Sequence, residues 1–496
     1  WFCYKTIRRT SNIGDLMPLI LGTNSIKDTG FNVANSVRLN RGDSANFTRT
    51  PSSASNRRTW TWSGWVKRSG LGNIQTLFNG SDGGYPEIFY FAADDTFIYQ
   101  HDISGSDYKL ISSQVFRDVS AWYHIVVAKD TTQSTETNRL KIYVNGSQIT
   151  SFSNNTTPSQ NQDTSVNLNT PHVLGRYHTS ASGYYLGYMA QTILVDGTAL
   201  TPSTFGSTNA NGIWVPNTGP SITYGTNGFN LAFAGTGTTA DASGFGADSS
   251  GNGNHFTANS LGTNPSTTDT TQNNFATLDP LSNFYPASTF SQGNNKIQTA
   301  TSTYSYNVSS IGVSKGKWFM EARAGAKSGG GNWYSAGIAE GPGTSATLTL
   351  GRDTNYPSSN GAGQIGYYGY ATNWVYQNDN YYLGSASHYT TSNYGDGSII
   401  GIALDADNNN VKFYADGVVQ NSGTAFTIGA SSTGFWHFAF GDFDGSNNYI
   451  WQTNFGNPTY TIASGNADAN GYGNFEYAVP SGYYALCTKN LALYGG

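Results

Sequence analysis

Apolar and polar positions alternate with a period of two along short stretches of this chain, and the stretches are separated by Gly, Asn, Ser and Asp. That period belongs to extended strands with one buried face. Two segments state it most fully. Trp122-Tyr123-His124-Ile125-Val126-Val127-Ala128-Lys129-Asp130 leads into Leu140-Lys141-Ile142-Tyr143-Val144-Asn145-Gly146. Far downstream, Ile399-Ile400-Gly401-Ile402-Ala403-Leu404-Asp405 leads into Val411-Lys412-Phe413-Tyr414-Ala415-Asp416-Gly417. Each predicts a β-hairpin with one buried face and a tight Asn-Gly or Asp-Gly exit. Further strands are predicted at residues 37–40, 59–67, 76–78, 87–91, 96–99, 172–176 and 187–197. In 59–67, the spacing of Trp60 and Trp62 sets one aromatic row toward a core.

Composition narrows the class to all-β. Five Glu in 496 residues, against 60 Gly and 33 Tyr, leave few helix formers and many turn and strand residues. Only 11% of residues are charged, against about 25% in an average soluble protein. The surface is therefore expected to be hydroxyl, amide and aromatic. The net charge of −5, with no basic run longer than Arg57-Arg58, lacks the patch that nucleic-acid binding requires. No apolar run reaches the roughly 20 residues of a membrane span. Two cysteines cannot build a disulfide framework, and Cys487 in a Tyr-Tyr-Ala-Leu-Cys run reads as a free core thiol.

The chain divides by pattern into residues 1–32, an N-terminal arm; 33–206, a full strand series; 207–290, a Gly/Asn/Thr-rich connector; and 291–490, a second strand series with a C-terminal return strand. Residues 1–16 carry no packing pattern and no apolar h-region. Met17 is the expected initiator, since Gly14-Asp15-Leu16 can be encoded by a purine-rich leader; the alternative is a disordered arm. In the connector, Phe229, Leu231 and Phe233 alternate, and Asp248-Ser249-Ser250-Gly251-Asn252-Gly253-Asn254 reads as a chain of Asx turns.

The segments WTWSGWVKRS, WYHIVVAKD, LKIYVNG, HVLGR and YLGYMAQTILVDGTAL, in this order, resemble a laminin-G-like, concanavalin-A-type lectin domain over residues 33–206. The segments GKWFMEARAG, YSAGIAEG, GQIGYYGYATNWVYQ, YGDGSIIGIALDADNNNVKFYADGV and WHFAFGDFDG resemble a SPRY domain. The resemblance implies two concanavalin-A-like jelly-roll sandwiches in tandem. It also implies ligand loops at one rim, with calcium (Ca2+) as a cofactor the first sandwich can hold. Asp82, Asp94, Asp95 and Asp102 fall in loops where laminin-G-like domains hold it. The pairing of modules, in this Gly/Asn/Tyr-rich composition, resembles large virion proteins of marine tailed phages.

Candidate ligand-binding residues are aromatics in Gly-rich loops, because Tyr and Trp offer a flat apolar face with a polar edge. In the second module these are Tyr368, Tyr370, Trp374, Tyr382 and His388; in the first, His101, Tyr108, Tyr177 and Tyr185. The competing reading places half of each alternating set in the core. A jelly-roll glycosidase would need paired carboxylates, and the five Glu are isolated from one another. Arg41-Gly42-Asp43 and Asp405-Ala406-Asp407 read as ordinary turns. The expectation is a non-enzymatic virion surface or tail-fibre-type protein that binds host-surface glycans or other virion proteins; a homo-oligomer is left open. A secreted lectin or adhesin, a polysaccharide-active enzyme with binding modules, and a capsid decoration without ligand are the alternatives.

Overall fold

The computed structural model describes residues 33–495, apart from 82–85, 104–105, 179–181, 218, 283–286, 302–304, 331–333, 341–363, 369–374, 379–393, 429–430, 432 and 443–445. Among the described residues, strands build four large sheets, and a single α-helix, Thr488–Tyr494, lies at the end of the chain.

Two of these sheets form the first sandwich. One runs, in spatial order, Ser147–Gln148, Leu140–Val144, Trp122–Asp130, Thr59–Arg68, Gly187–Asp196, Ser36–Leu39 and Ser266–Thr267, with Phe229–Leu231 also pairing with Gly187–Asp196. The other runs Phe152–Thr156, Ser106–Val115, Thr96–Ile103, Glu87–Phe91, Gln75–Gly80, His172–Leu174, Asn46–Arg49 and Thr257–Asn259. Their inner faces share one core, in which Trp60, Trp62, Phe78, Phe89, Phe91 and Phe97 are fully buried. Trp65, on the opposite face of the same strand, is also buried, beside Trp122 and Trp214. Both faces of Thr59–Arg68 are thus covered.

The second sandwich repeats the plan. Its larger sheet orders Thr289–Ser291, Lys296–Gln298, Tyr449–Asn454, Lys317–Lys327, Ile399–Asp405, Asn410–Ala415 and Val418–Val419. Its smaller sheet orders Tyr306–Val308, Trp436–Asp442, Tyr334–Glu340, Gln364–Tyr368 and Val375–Asn378. Trp318, Trp451, Tyr334, Phe438 and Phe440 fill the core between them. The tail returns as the two-residue strand Tyr484–Ala485, parallel to Trp318 and Phe319, and then turns into the helix rather than continuing as a strand. Cys487 is a fully buried free thiol.

Both hairpins end in the expected exit. Asn145 and Gly146 have φ of 47° and 82°, Asp416 and Gly417 48° and 79°: two left-handed residues in succession, the geometry of a tight hairpin turn. Each glycine also lies under an aromatic ring. A Cβ on Gly146 would fall 2.5 Å from Trp214, and one on Gly417 2.4 Å from Tyr477.

The stretch 207–290 is not a connector in the structure. Phe229–Leu231, Thr257–Asn259 and Ser266–Thr267 extend the two sheets of the first sandwich. Phe229, Leu231, Phe233, Phe256 and Ala258 are buried in its core. Ala276 and Leu278 already belong to the core of the second sandwich, ahead of the boundary expected at 291. Strands of two or three residues spaced by Gly and Asn look like loop in sequence, because they are too short to show an alternating pattern.

The sandwiches meet on a cross-strand row. Register places Trp122 opposite Lys67, Lys67 opposite Tyr188 and Tyr188 opposite Arg38, so the four side chains lie in line on the outer face of the first sheet. This row faces the second sandwich. Arg38 donates to the carbonyls of Asn457 (2.9 Å) and Pro458 (3.2 Å), and the Tyr188 hydroxyl donates to the Gly293 carbonyl at 2.9 Å. Arg38 is 2% exposed and Tyr188 fully buried, so the module junction is a packed, hydrogen-bonded surface.

Candidate recognition site

A polar cleft of about 560 Å³ opens where the strand Asn46–Arg49 meets the loop after residue 248. Thr48, Arg49, Thr50 and Ser52 line one side. Asn252, Gly253, Asn254, His255 and Thr257 line the other, and Ala240 completes it. Thr257 is opposite Thr48 in the sheet, so the two walls are tied by backbone pairing.

Asp248 builds the loop wall. Its Oδ1 accepts the N–H groups of Asn230 and Ser250, both at 2.8 Å; its Oδ2 accepts the Asn254 N–H and the Ser250 hydroxyl, both at 2.8 Å. This is the Asx-turn chain expected from the sequence. Asn252 and Asn254 then donate their amides to the Gly228 carbonyl at 2.9 and 2.8 Å, which turns the Asn254 Oδ1 toward Arg49. The Asp248 N–H donates to His255 Nδ1 at 2.9 Å. An imidazole that accepts at Nδ1 carries its proton on Nε2.

Arg49 is the only charged side chain in the lining. It donates a hydrogen bond to the neutral Asn254 amide oxygen, and among the described residues no carboxylate lies within ion-pair distance of it. Burial lowers its pKa to about 10, which Asp248 partly opposes. The guanidinium thus stays charged at neutral pH while partly stripped of water. The Asn252 and Asn254 amide N–H groups are already given to the carbonyls of Gly225, Thr226 and Gly228, so the cleft offers a cation, hydroxyls and an imidazole to a ligand's hydroxyl or carboxylate groups.

The candidates read from sequence are scattered. Tyr185 is fully buried and donates its hydroxyl to the Lys67 carbonyl at 3.0 Å, so it belongs to the core and not to a ligand surface. His101 is 1% exposed, with Nε2 at 3.0 Å from the Ser165 hydroxyl, and is likewise internal. His101 shares the inward face of the strand Thr96–Ile103 with Phe97 and Tyr99, and Tyr185 lies in the segment that leads into Gly187–Asp196. Tyr108 is half-buried on the strand Ser106–Val115, its hydroxyl 3.0 Å from that of Ser159, and Tyr177 is half-buried in the turn after His172–Leu174. Tyr368 ends the strand Gln364–Tyr368 opposite Ser335, with only its backbone described. Tyr370, Trp374, Tyr382 and His388 lie outside the described residues.

The expected calcium ligands do not converge. Asp95 is held between Arg68 at 3.0 Å and Arg117 at 3.1 Å, and these two guanidinium groups balance its charge. Asp94 accepts the N–H and hydroxyl of Thr96, and these hydrogen bonds hold its pKa below the usual carboxylate value. Asp102 pairs across the strands with Asp107, and Asp82 lies outside the described residues. Among the described residues, no three His, Cys, Asp or Glu side chains gather as metal ligands. No helix among them is long and apolar enough to cross a membrane.

Residues 41–205 match the model of the concanavalin A-like lectin/glucanases superfamily. The match spans the first sandwich up to the segment that carries Phe229 and Asp248, so the loop wall of the cleft lies beyond it. No curated protein matches the chain. Among solved structures, domains LG4-5 of the mouse laminin alpha1 chain are similar at 7% identity and a TM-score of 0.29, over 93% of this chain and 90% of that one. The SPRY domain of human HERC1 is similar at 14% identity and a TM-score of 0.25, over 36% of this chain and 96% of that one. Domain 4 of an extracellular arabinanase from Geobacillus stearothermophilus, solved with arabinotriose, is similar at 20% identity and a TM-score of 0.24, over 30% of this chain and 65% of that one.

Proposed function

We propose that this chain is a non-enzymatic recognition protein that binds carbohydrate in the cleft between Asn46–Arg49 and the Asp248 loop. The observation that carries the reading is Arg49, a partly desolvated cation that lines the cleft with no carboxylate within ion-pair distance among the described residues. The lectin-type family match of the first sandwich supports it. The lining holds donors rather than the carboxylate pair that glycoside hydrolysis uses, which favours binding over cleavage. A guanidinium adds a preference for acidic sugars, since it donates two parallel N–H bonds to a carboxylate or sulfate. A glycan array probed with the full chain and with Arg49→Ala tests the reading: wild-type signal on acidic glycans, lost in the variant, supports it, and equal signal from both contradicts it.

The setting we propose is the surface of a tailed-phage particle, where the ligand would be a host-surface glycan. The Gly/Asn/Tyr-rich composition and the 11% charge support it, as does the pairing of two sandwiches. Detection of the chain by mass spectrometry in purified particles would bear this out; recovery only from bacterial culture medium would favour the secreted lectin.

A further inference from the structure

Beneath the module junction, Lys67 is enclosed with two partners of different chemistry. Its Nζ lies 2.9 Å from Asp269 Oδ2 and 2.6 Å from Asn274 Oδ1, with the Phe275 carbonyl at 3.4 Å. The side chains of Lys67 and Asp269 are 2% and 0% exposed. The Tyr188 ring stands 5.3 Å from Nζ. Every group is held from elsewhere. Asp269 accepts from Trp122 Nε1 and Asn457 Nδ2, both at 3.3 Å, and Asn274 Nδ2 donates to the Ser120 carbonyl at 2.7 Å. An amine, a primary amide and a carboxylic acid are therefore fixed in contact in a site closed to water.

We propose that Lys67 and Asn274 join in an isopeptide bond that the protein forms on itself, with Asp269 carrying the proton. The step begins when Lys67 hands a proton to Asp269 across their 2.9 Å contact, leaving a neutral, nucleophilic amine. Lys67 Nζ attacks Asn274 Cγ, whose carbonyl oxygen it already touches. The nitrogen loses its second proton through Asp269, and the proton held by Asp269 passes to the Asn274 Nδ2. The Cγ–Nδ2 bond breaks, and the leaving nitrogen also takes the remaining proton from Asp269 and departs as ammonium, so Asp269 ends as the carboxylate it began as. One C–N bond forms and one breaks; nothing is oxidised or reduced, and no co-reactant is needed. Fixed contact between the reacting groups replaces a bimolecular encounter, which is what makes an otherwise slow amide exchange feasible.

The other buried lysine shows why the amide matters. Lys129 meets Glu87 and the Tyr99 hydroxyl, and Tyr99 in turn donates to Glu87. There the acceptor is a carboxylate engaged by all its neighbours, with no separate acid beside it, so an ion pair is the end state. At Lys67 the acid and the acylating group are two residues, five positions apart on one segment. The bond would fasten the strand Thr59–Arg68 to the segment that runs on into the second sandwich, a covalent tie in a chain without a disulfide framework.

Peptide mapping of the folded, purified full chain decides it. The expected result is a branched tryptic peptide joining Lys67 to Asn274, lighter than the sum of its two arms by one ammonia, and its absence in Asp269→Ala and Asn274→Ala. Linear peptides carrying unmodified Lys67 and Asn274 from wild type overturn the proposal, whether or not the variants fold. Loss of one water instead of ammonia would place the bond on Asp269 and overturn the assignment to Asn274.

Discussion

Phe229→Ala measures whether the stretch 207–290 is part of the first sandwich. Phe229 is 1% exposed, with its ring edge-on to Phe256 at 4.8 Å and tilted against Phe78 at 6.2 Å. Truncating a buried Phe costs about 3–5 kcal/mol in lost transfer energy and cavity formation. The two ring pairs, at about 0.5–1.5 kcal/mol each, place this site in the upper half of that range. For a cooperative unit of 150–250 residues, a loss of about 4 kcal/mol lowers Tm by roughly 8–16 °C. The assay is calorimetry of the full chain, with Phe229→Leu as a volume-conserving control expected to cost less than about 1.5 kcal/mol. A chain of residues 33–206 alone should fail to melt cooperatively, because it lacks Phe229, Leu231, Phe233 and Phe256 from its core. If Phe229→Ala melts within a degree or two of wild type, or residues 33–206 fold by themselves, the segment is only a connector and the reasoning fails.

Glu321 supplies a pH signature: burial pushes its carboxyl from 4.5 up to about 7, against the opposing N–H bonds of Tyr477 and Glu476. The folded state therefore keeps a proton that the unfolded chain releases, and stability is full below about pH 4.5 and falls by about 3 kcal/mol as pH rises to about 7; Glu321→Gln should flatten that slope in denaturant titrations at several pH values. Gly146→Ala forces a Cβ at φ of 82° into the Trp214 ring and should cost about 2 kcal/mol or more, read as a lower midpoint in urea, with Gly417→Ala acting likewise against Tyr477. Cys487, with burial pushing its thiol up to about 12, should resist thiol reagents in the native protein and react on unfolding; rapid native-state labelling at Cys487 would contradict its placement.

The alternation in the sequence located the two hairpins, the Trp60/Trp62 core row and the tandem of sandwiches, because those strands bury one apolar face. It missed Ser106–Val115, whose residues are mostly polar and partly exposed, so period two left no contrast to read. It also could not tell the outer row Trp122, Lys67, Tyr188 and Arg38 from a solvated face, since what covers that row comes from residues 264–275 and 457–460. The cleft was hidden for the same reason. Arg49 and His255 are brought together by pairing across more than 200 positions, and the polar runs around them, Thr48-Arg49-Thr50 and Asn252-Gly253-Asn254-His255, read as ordinary turn and strand-edge residues. Tyr185 and His101 attracted notice by residue type, while strand phase turns His101 inward and the hydrogen bond to the Lys67 carbonyl holds Tyr185 in the core.

The central claim is that the Arg49 cleft binds an acidic glycan, and calorimetric titration tests it most directly. Full-length wild type, Arg49→Ala and Arg58→Ala would each be titrated with uronate-containing and neutral oligosaccharides; Arg58, paired on the surface with Asp163, serves as the control. A hydrogen bond to a charged group contributes about 1.5–3 kcal/mol, so Arg49→Ala should weaken acidic-glycan binding about 10- to 100-fold. Arg58→Ala should bind as wild type does, and the neutral sugars more weakly than the acidic ones. Equal affinity of Arg49→Ala and wild type, or no binding of either sugar class by wild type, would contradict the account.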